Sequence, residues 1–335
     1  MEVATSQVVF DLDHDADVGA VRRRLALLAS EAGLDESRTN DAALIATELC
    51  TNVLKHARHG GAMIATAIER DIRGVSIAVW DRGPGMDLDV SRRDGVSTTG
   101  TAGVGLGAIS RLASTWDAYS FPGAGTVITA TVFARAEPER ERVRAAIGGV
   151  CVPYPGLPMA GDGWDAHVEG DTVTLIVSDG LGHGEGAAKA TEAVLEAFRK
   201  APADTPADIL DRAHRAARGT RGAAATVVRL DLARRLATTA GVGNVMAWIC
   251  GEEQRQLVTQ HGTLGQTSPR IREESYPFPQ GAVLVVHSDG LKTRWDLSAL
   301  PGIRRRQPTT IATALWRDLA RGRDDATVVV VTEVP

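Results

Sequence analysis

Four aspartate positions carry the most specific chemistry in the chain. The stretch Thr172 to Gly186, TVTLIVSDGLGHGEG, is an apolar strand that stops on Asp179 and passes into a turn with glycine at 180, 182, 184 and 186. A carboxylate at the end of a buried strand is held rigidly by the sheet behind it, and the glycines let the backbone fold close to whatever it binds. Ala282 to Leu291, AVLVVHSDGL, repeats the pattern at Asp289. Arg323 to Val331, RDDATVVVV, places Asp324 and Asp325 just before a strand, and Asp162 sits in Ala160-Gly-Asp-Gly163. One Asp-Gly alone is an ordinary turn. An ordered set at strand ends, with almost no cysteine or histidine nearby, is hard-ligand chemistry suited to Mg²⁺ or Mn²⁺ rather than zinc.

A second constellation lies upstream. Glu48, Asn52 and His56, each four residues apart, line one face of a predicted helix beside the core stripe Ile45, Leu49 and Val53. Alone, that polar row reads as a solvated helix edge. It is followed by a strand ending in Asp81-Arg-Gly-Pro-Gly-Met86, then by Gly100-Thr-Ala-Gly-Val-Gly-Leu-Gly107 running into a helix predicted over Ala108 to Ser114. Glycines at 103, 105 and 107 opening a helix form an anion site, because exposed amides and the helix dipole point at the ligand. The Rossmann pattern fails for lack of the strand-first βαβ unit with its acidic ribose partner, and no GxxxxGK[ST] is present.

Both constellations match known families. GD at Asp162, SDGLGHG at Asp179, SDGL at Asp289 and DDAT at Asp324 resemble, in order, the metal-binding motifs of the protein phosphatase 2C superfamily, in its bacterial stage II sporulation protein E branch, over roughly 148–334. The resemblance implies two Mg²⁺ or Mn²⁺ ions. Asp179 would bridge them as the central catalytic ligand, with Asp162 and the Gly180 carbonyl adding direct or water-mediated ligation and Asp289 and Asp324 completing the second ion. Asp325 is expected beside the ligands, and Asp165 and His183 as local hydrogen-bonding residues. Two cations ~3.5 to 4 Å apart acidify water for in-line attack on a phosphoserine or phosphothreonine. No arginine in these motifs matches the one that grips phosphate in eukaryotic members.

The order ELCTNVLKHA, DRGPGM, GTAGVGLGAISRLAS and FPGAGTVITA resembles the GHKL (Bergerat) ATP-binding fold, most similarly the anti-sigma-factor serine kinases of the RsbW and RsbT type, over about 6–133. The resemblance implies ATP with Mg²⁺ held through Asn52, Glu48 as general base on a protein hydroxyl, and Asp81 on the adenine amino group. Gly83 and Gly85 would let the chain pass close to the base, Gly103, Gly105 and Gly107 would wrap the phosphates, and Thr126 would close the adenine pocket. Phosphoryl transfer asks mainly for such positioning, a metal and a base. The implied partner is a STAS-domain anti-sigma antagonist in a partner-switching pathway. Two readings remain for the N-terminal part: a kinase, or a non-catalytic ATP sensor or docking module that tunes the phosphatase.

These sites require elements to carry them. At 335 residues the chain is long enough for about two cores. The expected class is α+β: a GHKL α/β sandwich over 1–134, a charged linker over 135–146 (ARAEPERERVR lies within it), and over 147–335 a β-sandwich of mostly antiparallel sheets flanked by helices. Predicted helices run over 36–57, 185–200, 206–218 and 308–322. Predicted strands run over 62–69, 75–80, 147–153, 223–231, 236–249 and 256–258, with Gly241-Val-Gly-Asn244 a turn or bulge near the site. Lys plus Arg is 37 against 42 Asp plus Glu, a net charge of −5, which gives no electrostatic case for nucleic acid or a membrane surface. The N-terminus has acids where a signal peptide needs a basic head, and no apolar run approaches the ~20 residues of a membrane span. Cys50, Cys151 and Cys250 form no CxxC pair, as in a reducing compartment. A cytoplasmic protein is expected.

Overall fold

The computed structural model describes residues 7–57, 60–69, 72–86, 105–134, 144–266 and 271–334. They divide into two compact units, one drawn from Glu141–Ala299 and Gln307–Pro335, the other from Gln7–Arg140 with Leu300–Arg306. Each is α+β.

The N-terminal unit is one antiparallel sheet with helices on it. Its elements are β1 (Val8–Asp11), α1 (Asp15–Glu31), α2 (Glu36–His56), β2 (Gly60–Glu69), β3 (Ile72–Asp81), α3 (Gly105–Leu112), β4 (Thr115–Ser120) and β5 (Thr126–Phe133), and the sheet order is β1-β2-β3-β5-β4. Helix α1 stops before Gly33, whose φ of 78° is left-handed, and the Asp35 side chain caps α2 by accepting from the Arg38 amide at 2.8 Å. Val21, Leu25 and Leu28 of α1 and Ile45, Leu49 and Val53 of α2 are buried in one cluster with Val75, Ile77, Val79 and Ile128 of the sheet. The period-3.6 stripe of each helix thereby meets the period-2 face of the strands. Helix α3 begins at Gly105, three residues ahead of the predicted start, so Gly105 and Gly107 lie in its first turn. Glycine's poor helix propensity is what delayed the prediction.

The C-terminal unit stacks two five-stranded antiparallel sheets between helices. One sheet has the order β13-β10-β9-β8-β7, the other β12-β11-β14-β15-β6. The strands are β6 (Ala145–Val152), β7 (Asp162–Glu169), β8 (Thr172–Gly180), β9 (Ala223–Asp231), β10 (Leu236–Val242), β11 (Met246–Cys250), β12 (Gln254–Gln256), β13 (Glu274–Pro277), β14 (Val283–His287) and β15 (Ala326–Glu333). Val173, Leu175 and Val177 of β8 face Leu284, Val286, Val329 and Val331 across the sandwich. Ile176, on the other side of β8, packs under Val194, Leu195 and Phe198 of α4 (Glu185–Lys200) and Ile209 and Leu210 of α5 (Pro206–Ala216). On the far sheet, α6 (Pro308–Leu319) packs over β15 and β6.

Several boundaries differ from expectation, three of them beyond the ends of an element. Ala145 and Ala146, placed in the linker over 135–146, are strand residues paired with Glu333 and Thr332; residues 135–143 of that linker lie outside the described residues. The stretch expected as strand over 236–249, with a turn or bulge at 241–244, is two strands in different sheets, and the chain passes between them at Gly243, inside the expected turn. With φ 96°, and with a Cβ there overlapping that of Ala224, Gly243 turns the chain from one sheet to the other. The strand expected over 256–258 is Gln254–Gln256, set by pairing with β11.

Candidate metal centre and nucleotide site

The acidic centre is assembled by register. Strands β7 and β8 form a hairpin whose two-residue turn, Gly170-Asp171, fixes Glu169 opposite Thr172 and hence Asp162 opposite Asp179 at the open end. From the facing sheet, Asp289 follows β14 by two residues and Asp324 and Asp325 precede β15, so both arrive at the same end of that strand pair. The two segments cross tightly, since a Cβ on Gly290 would overlap the Asp325 carbonyl. Asp325 also reaches the first sheet: a Cβ on Gly161 would lie 2.8 Å from its Oδ2, and the Tyr154 amide donates to its Oδ1 at 2.7 Å. At Gly180 a Cβ would overlap the Ala187 carbonyl of α4, so this position accepts only glycine.

Like charges held this close raise one another's pKa. The Asp179 carboxyl is pushed up to about 9 by burial and by Asp162, Asp289, Asp324 and Asp325. Asp162, 4% exposed, is pushed up to about 7 by burial and Asp325, against the nearby hydroxyls of Ser288 and Thr327. Asp289 is raised by burial and by Asp324, while Arg321 and Asn244 pull it down. Asp325 is raised by burial, offset by the Tyr154 and Gly161 amides. Asp162 Oδ2 and Asp325 Oδ2 are buried without a hydrogen-bond partner. As the side chains stand, no group of three or more His, Cys, Asp or Glu among the described residues is arranged to hold a metal ion. The all-oxygen donors, mutual repulsion and unpartnered buried oxygens fit a hard divalent cation, and closing onto one requires side-chain movement.

Other residues separate into supports and bystanders. Asn244 Nδ2 donates to Asp289 Oδ2 at 2.6 Å, so the glycine turn noted in the sequence supplies an amide that holds Asp289 and that sequence reasoning left unassigned. Thr191 of α4 donates to the Gly161 carbonyl at 2.6 Å, and Ser288 exchanges bonds with Thr327, whose amide donates to Ser288 Oγ at 3.0 Å. Asp165 points to the opposite face of β7 from Asp162 and is bound by Arg199 Nε of α4 at 2.6 Å, outside the cluster. His183 is exposed and stacks on Tyr154 with ring centroids 4.7 Å apart.

In the N-terminal unit Glu48 and Asn52 stand one turn apart on α2, both half-buried, with Lys55 and His56 exposed. Asp81 ends β3 and its Oδ1 accepts from the Gly83 amide at 2.7 Å. A Cβ on Gly83 would come within 2.9 Å of that oxygen and 3.4 Å of the His56 carbonyl, which brings the Asp81 loop to the end of α2. Gly85 has φ 77° and packs on the Phe121 carbonyl. Buried Thr126 shares a hydrogen bond with Ser120 Oγ at 3.0 Å, and that oxygen also accepts from the Met86 amide at 2.7 Å. Asp81, Gly83, Gly85 and Thr126 are thus gathered at one sheet end, beside the helix carrying Glu48 and Asn52. Gly105 and Gly107 open α3, which packs on α2. Gly103 lies outside the described residues.

Comparison with known proteins assigns the same two parts. The histidine kinase-like ATPase domain family matches residues 12–132, and the stage II sporulation protein E (SpoIIE) family matches residues 169–333. Serine/threonine-protein kinase RsbT of Bacillus subtilis (strain 168) is 34% identical over 123 residues, covering 36% of this chain and 90% of RsbT. Phosphoserine phosphatase RsbX of the same organism is 24% identical over 139 residues, covering 41% of this chain and 69% of RsbX. A crystal structure of RsbX in complex with magnesium superposes with a TM-score of 0.50 at 20% identity, over 59% of this chain and 98% of that one, and shows the shared fold. No helix among the described residues is long and apolar enough to cross a membrane. The chain therefore joins an RsbT-like histidine kinase-like ATPase domain, residues 12–132, to a domain of the stage II sporulation protein E (SpoIIE) family, residues 169–333.

Proposed function

We propose that this chain is a partner-switching regulator that removes phosphate from phosphoserine or phosphothreonine on a STAS-domain antagonist protein, through a binuclear Mg²⁺ or Mn²⁺ site. The observation that carries this reading is the opposition of Asp162 and Asp179 on one sheet, met by Asp289 and Asp324–Asp325 from the other. Asp179 would be shared between the ions, with Asp162 and the Gly180 carbonyl on one side and Asp289 and Asp324 on the other. When bound, such ions lower the pKa of water and neutralise phosphoryl charge.

The chain's own groups prepare that centre. Asn244 holds one Asp289 oxygen, and Asp325, 3% exposed, accepts from Tyr154 and so ties the 154–161 segment to the start of β15. That anchoring duty supports Asp324, which is exposed, as the direct ligand and Asp325 as its support. Carboxylates that repel when empty and are stabilised when filled make a site selective for cations over a collapsed apo form.

For the N-terminal domain we infer ATP binding with Mg²⁺ at Asn52, adenine recognition by Asp81 beside Thr126, and phosphoryl transfer to the same class of protein with Glu48 as base. The identity to a serine/threonine kinase over 90% of its length supports transfer over a purely sensory domain. The test incubates the purified chain with STAS-domain candidates and γ-labelled ATP, with and without Mn²⁺. Label that builds on a partner and is cleared faster with Mn²⁺ establishes both activities. Clearance of a prephosphorylated partner with no labelling leaves a phosphatase with an ATP-sensing or docking module, and the absence of both labelling and clearance rejects the whole reading.

A further inference from the structure

The motifs supply carboxylates but no cation for the substrate's phosphate, and the fold brings one. Arg321 lies just beyond α6, in a segment that runs antiparallel to the chain leaving Asp289. Leu291 bridges Ala320, the Lys292 amide donates to the Leu319 carbonyl at 2.9 Å, and the Arg321 amide donates to the Gly290 carbonyl at 2.9 Å. Gly290 is the residue next to Asp289, so the Arg321 backbone is fixed at the edge of the acidic centre. Its side chain is fixed too: Nε donates to the Leu291 carbonyl at 3.0 Å. That anchor leaves the two terminal amino groups without a hydrogen bond or acidic partner among the described residues, and the residue is exposed.

A guanidinium secured through Nε presents its remaining N–H groups as a fork matched to two phosphoryl oxygens. Arg221, also near the centre, is placed differently. Its guanidinium packs against the first turn of α4, where a Cβ on Gly186 would fall 2.5 Å from its Nε, and its Nη1 donates to the His183 carbonyl at 3.5 Å.

We propose that Arg321 grips the substrate's phosphoryl group at the rim of the carboxylate centre. This rests on the phosphatase reading above. The rival role is that of a counter-charge for Asp289 alone, and it predicts a different outcome. A counter-charge changes cation affinity, whereas a phosphate grip changes phosphate affinity at unchanged cation affinity.

The experiment measures calorimetric binding of Mn²⁺, and then of inorganic phosphate to the Mn²⁺-loaded full chain, for wild type, Arg321→Gln and Arg321→Lys. Hydrolysis of p-nitrophenyl phosphate is followed in parallel. For Arg321→Gln the phosphate Kd and the KM should rise about ten- to a hundredfold, with Mn²⁺ affinity within about twofold of wild type. Arg321→Lys keeps the charge without the fork and should also weaken phosphate binding, which preserves the test if the glutamine variant fails to fold. Phosphate affinity unchanged in both variants, or Mn²⁺ affinity falling as much as phosphate affinity, would overturn the inference. A wild-type chain that binds Mn²⁺ but neither binds phosphate nor hydrolyses the ester would overturn the phosphatase reading as well.

Discussion

Replacing Asp179 with asparagine should make the metal-free protein more stable while removing its metal-dependent activity. The change preserves shape and deletes one charge from a group of five carboxylates. Burial and the four neighbouring carboxylates push the Asp179 carboxyl up from its ordinary value of 3.8 to about 9. A unit of pKa corresponds to about 1.4 kcal/mol, so at pH 8, where the folded carboxyl must take up a proton that the unfolded chain has released, the cost is roughly 6 kcal/mol. Protonation shared with Asp162 and outward side-chain movement reduce that, and a gain on the order of 3 kcal/mol is expected for Asp179→Asn. For a unit of this size that is a rise in Tm of roughly 6 to 12 °C. The assay is thermal unfolding in chelator at pH 8 and pH 5, repeated with saturating Mn²⁺. In chelator the variant should exceed wild type at pH 8, with the gap narrowing at pH 5, where the unfolded carboxyl is close to its own pKa of 3.8 and the folded one takes up its proton at little cost. With Mn²⁺ the order should reverse, because only wild type gains binding energy. Phosphate release should fall at least a hundredfold. A metal-free variant no more stable than wild type at pH 8, or one that still releases phosphate with Mn²⁺, refutes the mutual-repulsion argument.

Three further outcomes are expected. Because Asp162 and Asp179 hold protons more tightly in the folded chain than in the unfolded one, their contribution is complete below about pH 4 and lost as pH rises through about 7 and about 9; the metal-free Tm should fall over that window, and Mn²⁺ should stabilise more at each higher pH. Asn244→Ala, which frees Asp289 Oδ2, should weaken Mn²⁺ binding about ten- to a hundredfold by calorimetry with the fold kept, and unchanged affinity would remove Asn244 from the centre. Asn52→Ala should abolish Mg-ATP binding measured by fluorescence titration, leaving the C-terminal phosphatase rate intact, and retained affinity would place the nucleotide elsewhere.

The sequence made the strand-end aspartates visible because each closes an apolar run, Thr172 to Ser178 or Val283 to Ser288, on an Asp-Gly. It did not reveal β7, since GDGWDAHVE carries two aspartates, a histidine and a glutamate, and its inward row of Trp164, Ala166 and Val168 is too short to stand out. Without β7 the opposition of Asp162 and Asp179 could not be read. The interruption between β10 and β11 was legible from the glycines of 241–244, but the change of sheet was not: both strands have the same alternation, and only the left-handed Gly243 distinguishes a corner from a bulge. Asn244 and Arg321 act across 45 and 32 positions on Asp289 or its neighbours, through contacts that no local pattern encodes. In the N-terminal domain the α2 face and the Asp81 loop were legible from helical period and glycine spacing, while the Ser120 link between Met86 and Thr126 emerged only from the pairing of β4 with β5.

The β7–β8 hairpin has equal arms: eight residues run from Asp162 to Glu169 and, through the pairing, eight from Thr172 to Asp179. The two carboxylates meet by counting, at a point roughly 25 Å from the turn that sets the count. Side-chain identity along the arms is therefore free to drift within the demands of the core, but arm length is not. One residue added or removed between the turn and either aspartate carries that carboxylate to the other face of the sheet, whereas a longer loop beyond Glu169 leaves the match intact. The hairpin works as a ruler, and its tolerance is a matter of parity.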